Sequence, residues 1–267
     1  MDLQLSGKRA LVTGSNSGIG KAIALALAAE GVEVVVHGRR RPESEEVVHA
    51  IRLAGGRAEL ACGDLTNDDQ AQQVVDAALA AFGGIDILVA NAGAFPPTPV
   101  LESEAADWLN LYNQNVGSAV RLVRLLAPGM IDRGWGRIIT LGSIAATRPF
   151  ASFGAYAATK AACVSLAVTL AKEFGGTGVT SNCISPGDVL TPAAENHWHS
   201  VAQKNAWEGD WDAIERKIAS EISPTLVGRL GRPHEVADLV TFVSSPKAAY
   251  INGANLRIDG GFLSSTA

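Results

Sequence analysis

Residues 11–31, LVTGSNSGIGKAIALALAAEG, begin as an apolar run, pass through Gly14, Gly18 and Gly20, and continue as an amphipathic helical pattern. A short apolar run bounded by glycine reads as a buried strand, and the pattern after it reads as a helix. Glycines at such a junction have two readings. They let the chain reverse tightly, or they let backbone approach a phosphate at a helix N-terminus, where free N–H groups and a partial positive charge meet an anion. On the second reading Gly14 makes the turn, Gly18 permits close approach and Gly20 lets helix pack on strand. Ser15, Asn16, Ser17 and Ile19 complete the loop. The spacing is G-x-x-x-G-x-G rather than the common G-x-G-x-x-G, so its context must decide.

Outward from this turn, short β-branched runs alternate with longer helical patterns. Strands are predicted at 9–13, 32–37, 58–61, 85–90, 137–141, 180–184 and 255–258, and helices near 18–30, 43–54, 68–82, 103–132, 153–174 and 234–244. Continuous apolar strands such as IDILVA suit a parallel sheet covered on both faces. The expected fold is therefore α/β: a doubly wound, Rossmann-like parallel sheet of about seven strands with right-handed crossovers, in one domain over 1–267. One segment breaks the rhythm. Residues 192–226 form a long excursion holding Trp198, Trp207 and Trp211, three of the five tryptophans.

Composition narrows the partners. The chain has 267 residues, 47% hydrophobic and 18% charged, with net charge −5. It carries no basic stripe, which argues against nucleic acid. No apolar run reaches membrane-spanning length and the first residues do not have a signal-peptide layout, so no membrane partner is expected. Cys62, Cys163 and Cys183 are far apart and lack metal spacing. They read as reduced thiols in a cytoplasmic protein.

With the strand–turn–helix context in place, Thr13-Gly14-x-x-x-Gly18-x-Gly20 resembles the cofactor motif of the short-chain dehydrogenase/reductase family. In a doubly wound fold an acid at the end of the second strand grips the ribose of NAD, whereas an arginine there accommodates the 2′-phosphate of NADP. Here Gly38 stands in the acid's place and Arg39 follows, so NADP(H) is favoured over NAD(H). The alternative is that Arg39, Arg40 and Arg41 only open a solvated helix with Glu43, Glu45 and Glu46 as partners, which suits Arg41 better than Arg39.

Residues 152–164 read SFGAYAATKAACV. Tyr156 and Lys160 are four apart and share a helix face. An ammonium beside a phenol favours its anion, which suits proton exchange between an alcohol and a carbonyl. Ser143 ends the strand RIITLGS, where its hydroxyl is placed to hold a substrate oxygen or simply to cap a turn. Asn115 falls within a long helical pattern, where asparagine is a mediocre helix former. It implies either a local kink holding a proton-relaying water or a polar packing contact.

Together, Asn115, Ser143, Tyr156 and Lys160 are similar to the family's catalytic tetrad in type and order. The resemblance implies Tyr156 as acid/base, Lys160 as its partner and holder of the nicotinamide ribose, and Ser143 as the group that orients substrate. It places Asp64 and Leu65 beside the adenine, and Asn91, Ala92 and Gly93 next to the cofactor. It further implies that Pro186, Gly187, Val189 and Thr191 lie along the nicotinamide end, and that the protein is a homotetramer. The implied reaction is hydride transfer with a small carbonyl or alcohol substrate, without a metal. His197 and His199, at i and i+2, point to different sides of a helix and do not suggest a metal site.

Segments 94–100, 144–153 and 192–226 are expected to wall the substrate pocket. They contribute Phe95, Ile144, Phe150, Phe153, Trp198, Trp207 and Trp211, which suit an apolar or cyclic carbonyl. The tryptophans have a second reading, as the lid's own core or a subunit contact. A non-catalytic cofactor sensor, an NAD-dependent alcohol dehydrogenase and an epimerase of larger relatives are the competing functions.

Overall fold

Parallel pairing puts each apolar run of the sequence beside another in register. The computed structural model describes residues 1–264. Among them β1 (Arg9–Val12), β2 (Glu33–Gly38), β3 (Ala58–Cys62), β4 (Ile87–Ala90), β5 (Gly136–Leu141), β6 (Val179–Pro186) and β7 (Asn255–Ile258) form one parallel sheet, ordered β3-β2-β1-β4-β5-β6-β7. Strand order reverses between β1 and β4, so the loops leaving these two strands open a crevice at the C-terminal edge of the sheet.

Side chains alternate across the sheet and divide its core in two. Val12, Ile87 and Val89 face one side with α1 (Gly18–Ala29), α2 (Arg41–Leu53) and α9 (Pro233–Val243). Leu11 and Leu88 face the other with α3 (Asp68–Phe82) and α5 (Ser118–Asp132). Each Leu, Ile or Val buried this way contributes about 1.5–3 kcal/mol. That outweighs the weak helix propensity of residues such as Ile23 and Val240.

Two expected elements take a different form. The pattern at 103–132 is not one helix. After a 3₁₀ turn at Val100–Glu102 it divides into α4 (Ala105–Tyr112), a π-helical turn at Asn113–Gly117, and α5. The excursion at 192–226 is itself helical, with α7 (Pro192–Lys204), α8 (Trp211–Lys217) and a π turn at Ile218–Ile222. The helix α6 (Gly154–Glu173) is long and apolar enough to cross a membrane by length and composition, contrary to the expectation that no run reaches that length. It instead packs against β5 and β6 and carries the buried Lys160.

Candidate active site

The crevice is built from backbone upward. Gly14 lies at φ 62°, and a Cβ on Gly20 would sit 2.3 Å from the Gly14 carbonyl oxygen. Only glycine permits this turn and this approach of α1 to β1. Ser17, at the N-cap of α1, makes no side-chain cap, and the first turn contains no acid. By contrast α3 is capped by Asn67, which accepts from the Gln70 N–H, and begins with Asp68 and Asp69. The start of α1 therefore keeps its positive end for an outside anion.

Thr13, not counted among the site residues from sequence, ties this turn to the loop after β4. Its hydroxyl accepts from the N–H groups of Asn91 and Ala92 at 3.0 and 2.9 Å. The Asn91 amide donates back to the carbonyls of Thr13 and Gly14 at 2.8 and 3.2 Å. A cavity of about 450 Å³ opens here, lined by Gly14, Asn16, Ser17, Arg39, Asp64, Leu65 and Asn91 to Gly93 among others. Ser15 is fully buried beneath the turn. Asp64 accepts from the Thr66 backbone and hydroxyl, and chiefly through these bonds its carboxyl is held below the usual range.

At the end of β2, a Cβ on Gly38 would lie 2.5 Å from the Ser44 hydroxyl and 3.1 Å from Asn16 Cβ. A carboxylate side chain has no room there. Arg40 pairs with Glu43 and Arg41 with Glu45, whereas Arg39 forms no ion pair among the described residues and lines the cavity. Arg40 lines the cavity as well, but its guanidinium is engaged by Glu43.

Of the four residues expected to act together, Tyr156 and Lys160 lie on α6, Ser143 in the loop after β5 and Asn115 in the π turn. Lys160 is buried and donates from Nζ to the Leu141 carbonyl at 2.7 Å, two residues before Ser143. The same Nζ lies 5.6 Å from the centre of the Tyr156 ring. Ser143 accepts from the Ala145 N–H at 3.1 Å and caps a 3₁₀ turn at Ile144–Ala146. Asn115 is fully engaged: Oδ1 accepts from Ala94 N–H at 2.7 Å, and Nδ2 donates to Ala94 O and to Thr159 Oγ1, both at 2.9 Å. Its carboxamide braces the loop after β4 against α6, and the π turn brings it there. Thr159, one residue before Lys160, is a second member of this brace that sequence alone did not reveal.

At the other end of the crevice, Gly187 N–H donates to the Ile258 carbonyl at 2.9 Å, which fixes the Pro186–Gly187 turn to β7. Val189 bridges Gly231, and the Thr191 hydroxyl accepts from Ala194 N–H at 3.2 Å to cap α7. The Thr191 methyl lies 3.4 Å from a Cβ built on Gly18, so the 192–226 excursion begins directly over the glycine turn. Ile19 packs partly buried against the main core.

The expected substrate wall needs revision. Trp198, Trp207 and Trp211 turn inward and pack with Ile214, Ile218 and Leu230 as the lid's own core. Ile144 is buried against Phe262 and Leu263 rather than lining an open wall. Phe150 also meets Phe262, at 6.1 Å between ring centres. Phe95 remains beside the chemistry, with its ring in an edge contact 6.3 Å from that of Tyr156. Phe153, half-buried, caps the start of α6. His197 and His199 contact different rings, Trp198 and Trp211.

The family model described as enoyl-(acyl carrier protein) reductase matches residues 14–263, from the glycine turn to the last described strand and beyond. The chain belongs to the short-chain dehydrogenase/reductase family. It is 38% identical to the uncharacterized oxidoreductase YvaG of Bacillus subtilis (strain 168), covering 99% of each chain. The crystal structure of L-sorbose reductase from Gluconobacter frateurii, complexed with NADPH and L-sorbose, superposes with a TM-score of 0.93 at 36% identity, covering 99% of this chain and 100% of that one. A 7α-hydroxysteroid dehydrogenase complexed with NADH and 7-oxo glycochenodeoxycholic acid gives 0.87 at 33%, covering 100% and 98%. As a member of this family the chain is an NAD(P)(H)-dependent oxidoreductase that transfers hydride between a nicotinamide and a carbonyl or alcohol carbon.

Proposed function

We propose that the protein interconverts a small carbonyl compound and its secondary alcohol with NADP(H) in preference to NAD(H). Tyr156 acts as the acid/base in this reading. The observation that carries the cofactor choice is the end of β2, where Ser44 and Asn16 fill the acid's place while Arg39, with no ion pair among the described residues, lines the cavity. A guanidinium offers a 2′-phosphate paired donors and full charge, and no carboxylate repels it.

The glycine turn and the open start of α1 take the pyrophosphate. Asp64, Leu65, Asn91, Ala92 and Gly93 form the walls beside it, and Pro186, Gly187, Val189 and Thr191 hold the nicotinamide end. The bound nicotinamide supplies or accepts the hydride. Ser143 holds the substrate oxygen. The Tyr156 hydroxyl gives that oxygen a proton in the reductive direction and takes it back in the oxidative one. Lys160 keeps a positive charge near the phenol, and Asn115 holds the π turn and the loop after β4 in register with α6. Phe95 beside Tyr156 favours an apolar or cyclic carbonyl.

The exposed Leu101, Leu109, Tyr112 and Val120 on and around α4 and α5 support a homotetramer, and three cysteines outside any disulfide among the described residues support a cytoplasmic setting. The deciding experiment is calorimetric titration of the wild type and Arg39→Ala with NADPH and with NADH. Wild type is expected to prefer NADPH. Arg39→Ala is expected to weaken NADPH about tenfold or more and NADH far less, in line with loss of a charge-assisted pair. Equal weakening of both would remove Arg39 from 2′-phosphate recognition.

A further inference from the structure

His37 stands one residue before Gly38 and is only 3% exposed. A histidine inside an apolar strand ordinarily reads as a satisfied core residue. Its partners here are not core groups. Nδ1 accepts from the Gly14 N–H at 3.2 Å, and Nε2 lies 3.1 Å from the Gly63 carbonyl oxygen. An amide N–H only donates and a carbonyl only accepts, so these partners select the neutral ring with its proton on Nε2.

The backbone of the same residue adds to this. His37 N–H donates to the Ser15 hydroxyl at 2.9 Å, and Ser15 N–H donates to the His37 carbonyl at 2.8 Å. One residue is therefore bonded to the glycine turn through ring, N–H and carbonyl, and to the loop after β3 through the far side of the ring. Gly14, His37 and Gly63 all line the same cavity.

We propose that His37 is a positioning residue for the adenosine half of the cofactor, a strut whose neutral imidazole sets the separation between the glycine turn and the Gly63–Leu65 loop. This rests on the cofactor reading above. Burial, above all, lowers the ring's pKa to about 4; the Gly63 bond and Asp64 act against this, and Arg39 acts with it. The ring thus stays neutral near pH 7 and the strut keeps one geometry. A protonated ring would aim Nδ1–H at the Gly14 N–H.

Three variants separate the two arms. His37→Asn retains an acceptor where Nδ1 lies but does not reach Gly63. His37→Gln reaches Gly63 with a donor but displaces the acceptor from Gly14. His37→Leu fills the space and keeps neither. Each is titrated calorimetrically with NADPH and NADH, assayed for kcat at saturating cofactor, and melted. The expected result is cofactor affinity weakened about tenfold to a hundredfold in His37→Leu, where two polar groups lose their partner, and less in the other two. Turnover at saturation should stay within about twofold of wild type, because the chemistry is untouched. If His37→Leu does not fold, the Asn and Gln variants carry the test. Unchanged affinity alongside a lowered melting temperature would overturn the proposal and leave His37 a core histidine. Binding of neither cofactor by the wild type would instead overturn the cofactor reading, and the strut with it.

Discussion

The two walls of the crevice are built in different ways. On the β1–β4 side, main-chain groups and short side chains bond across strand ends: Thr13 to Asn91 and Ala92, Asn91 to Gly14, Ser15 to His37. On the lid side, α7 and α8 pack on one another through Trp198, Trp207 and Trp211 and are pinned to the body by charge. Glu215 on α8 is buried and accepts from Arg232 at 2.5 and 2.9 Å and from Leu230 N–H at 3.1 Å. The first wall is a cradle of short-range bonds between strand ends, beneath and beside the cavity. The second is a small helical unit with its own core, whose buried charged tie to the body is Glu215–Arg232. On the proposed function, such a division lets the cofactor side stay constant while the 192–226 helices adapt to the substrate.

Tyr156, on α6, gives the strongest test of the division. Tyr156→Phe removes one hydroxyl and leaves the ring beside Phe95 and Lys160 in place. Turnover is expected to fall by about 100-fold to 10,000-fold, the range for loss of a general acid/base. Calorimetric affinity for the cofactor should remain close to wild type, because the cradle is intact. Unchanged turnover would remove the acid/base role from Tyr156. Loss of cofactor binding would mean that the cradle and the chemistry are not separable.

The second test loosens the lid at its pin. Glu215→Ala leaves the Arg232 guanidinium and the Leu230 N–H without their acceptor. Breaking a fully buried pair costs about 3–5 kcal/mol, and the Arg232 side chain's 30% exposure to solvent reduces that to about 2 kcal/mol. Hydrogen exchange should show lost protection in α7 and α8, with β1 and β4 unchanged. Acid should act in the same direction. Hydrogen bonding to Arg232, before all else, lowers the Glu215 pKa below its ordinary 4.5. A depressed carboxyl pKa contributes stability above 4.5 that is lost as pH falls through the folded value, so the lid should loosen on acidification and Glu215→Ala should lose that dependence. Uniform loss of protection across sheet and lid would show that the lid is not a separate unit.

The same contrast governs what could be read in advance. The cradle depends on local rules. A strand, a glycine turn and a helix start fall within ten residues of each other in LVTGSNSGIG, and β1 to β7 were legible to within about two residues because short apolar runs between turn signals specify them. Asn115, Ser143, Tyr156 and Lys160 stand out as residue types, but the π turn at Asn113–Gly117 and the bond from Asn115 to Ala94, 21 residues away, do not. No periodicity announces such a contact. His37 stayed hidden because histidine in a buried strand looks like core until its two loop partners are known. The two readings of the 192–226 tryptophans stay open in the sequence for a similar reason. These tryptophans pack on Ile214 and on Leu230 from outside the excursion, and Ile144 and Phe150 meet Phe262 more than a hundred residues on. Composition shows that aromatics are present, whereas only tertiary packing shows which way they turn.

Trp211 gives the smallest and most discriminating test. It is half-buried, lies 4.9 Å from the His199 ring and packs on the lid core without lining the cofactor cavity. Removing a buried tryptophan costs about 3–5 kcal/mol, but partial exposure leaves roughly 1–2 kcal/mol here. That loss lies inside the lid. Trp211→Ala should therefore raise KM for a carbonyl substrate several-fold through a less ordered lid, leave NADPH affinity unchanged, and lower kcat only slightly. Because the tryptophan supports the lid rather than touching substrate, the KM effect should be similar for bulky and small carbonyls alike. A selective gain for bulky substrates would return Trp211 to the pocket wall. A change confined to oligomeric state, measured by light scattering, would assign the ring to a subunit contact, and the lid would then be ordered by assembly rather than by its own core.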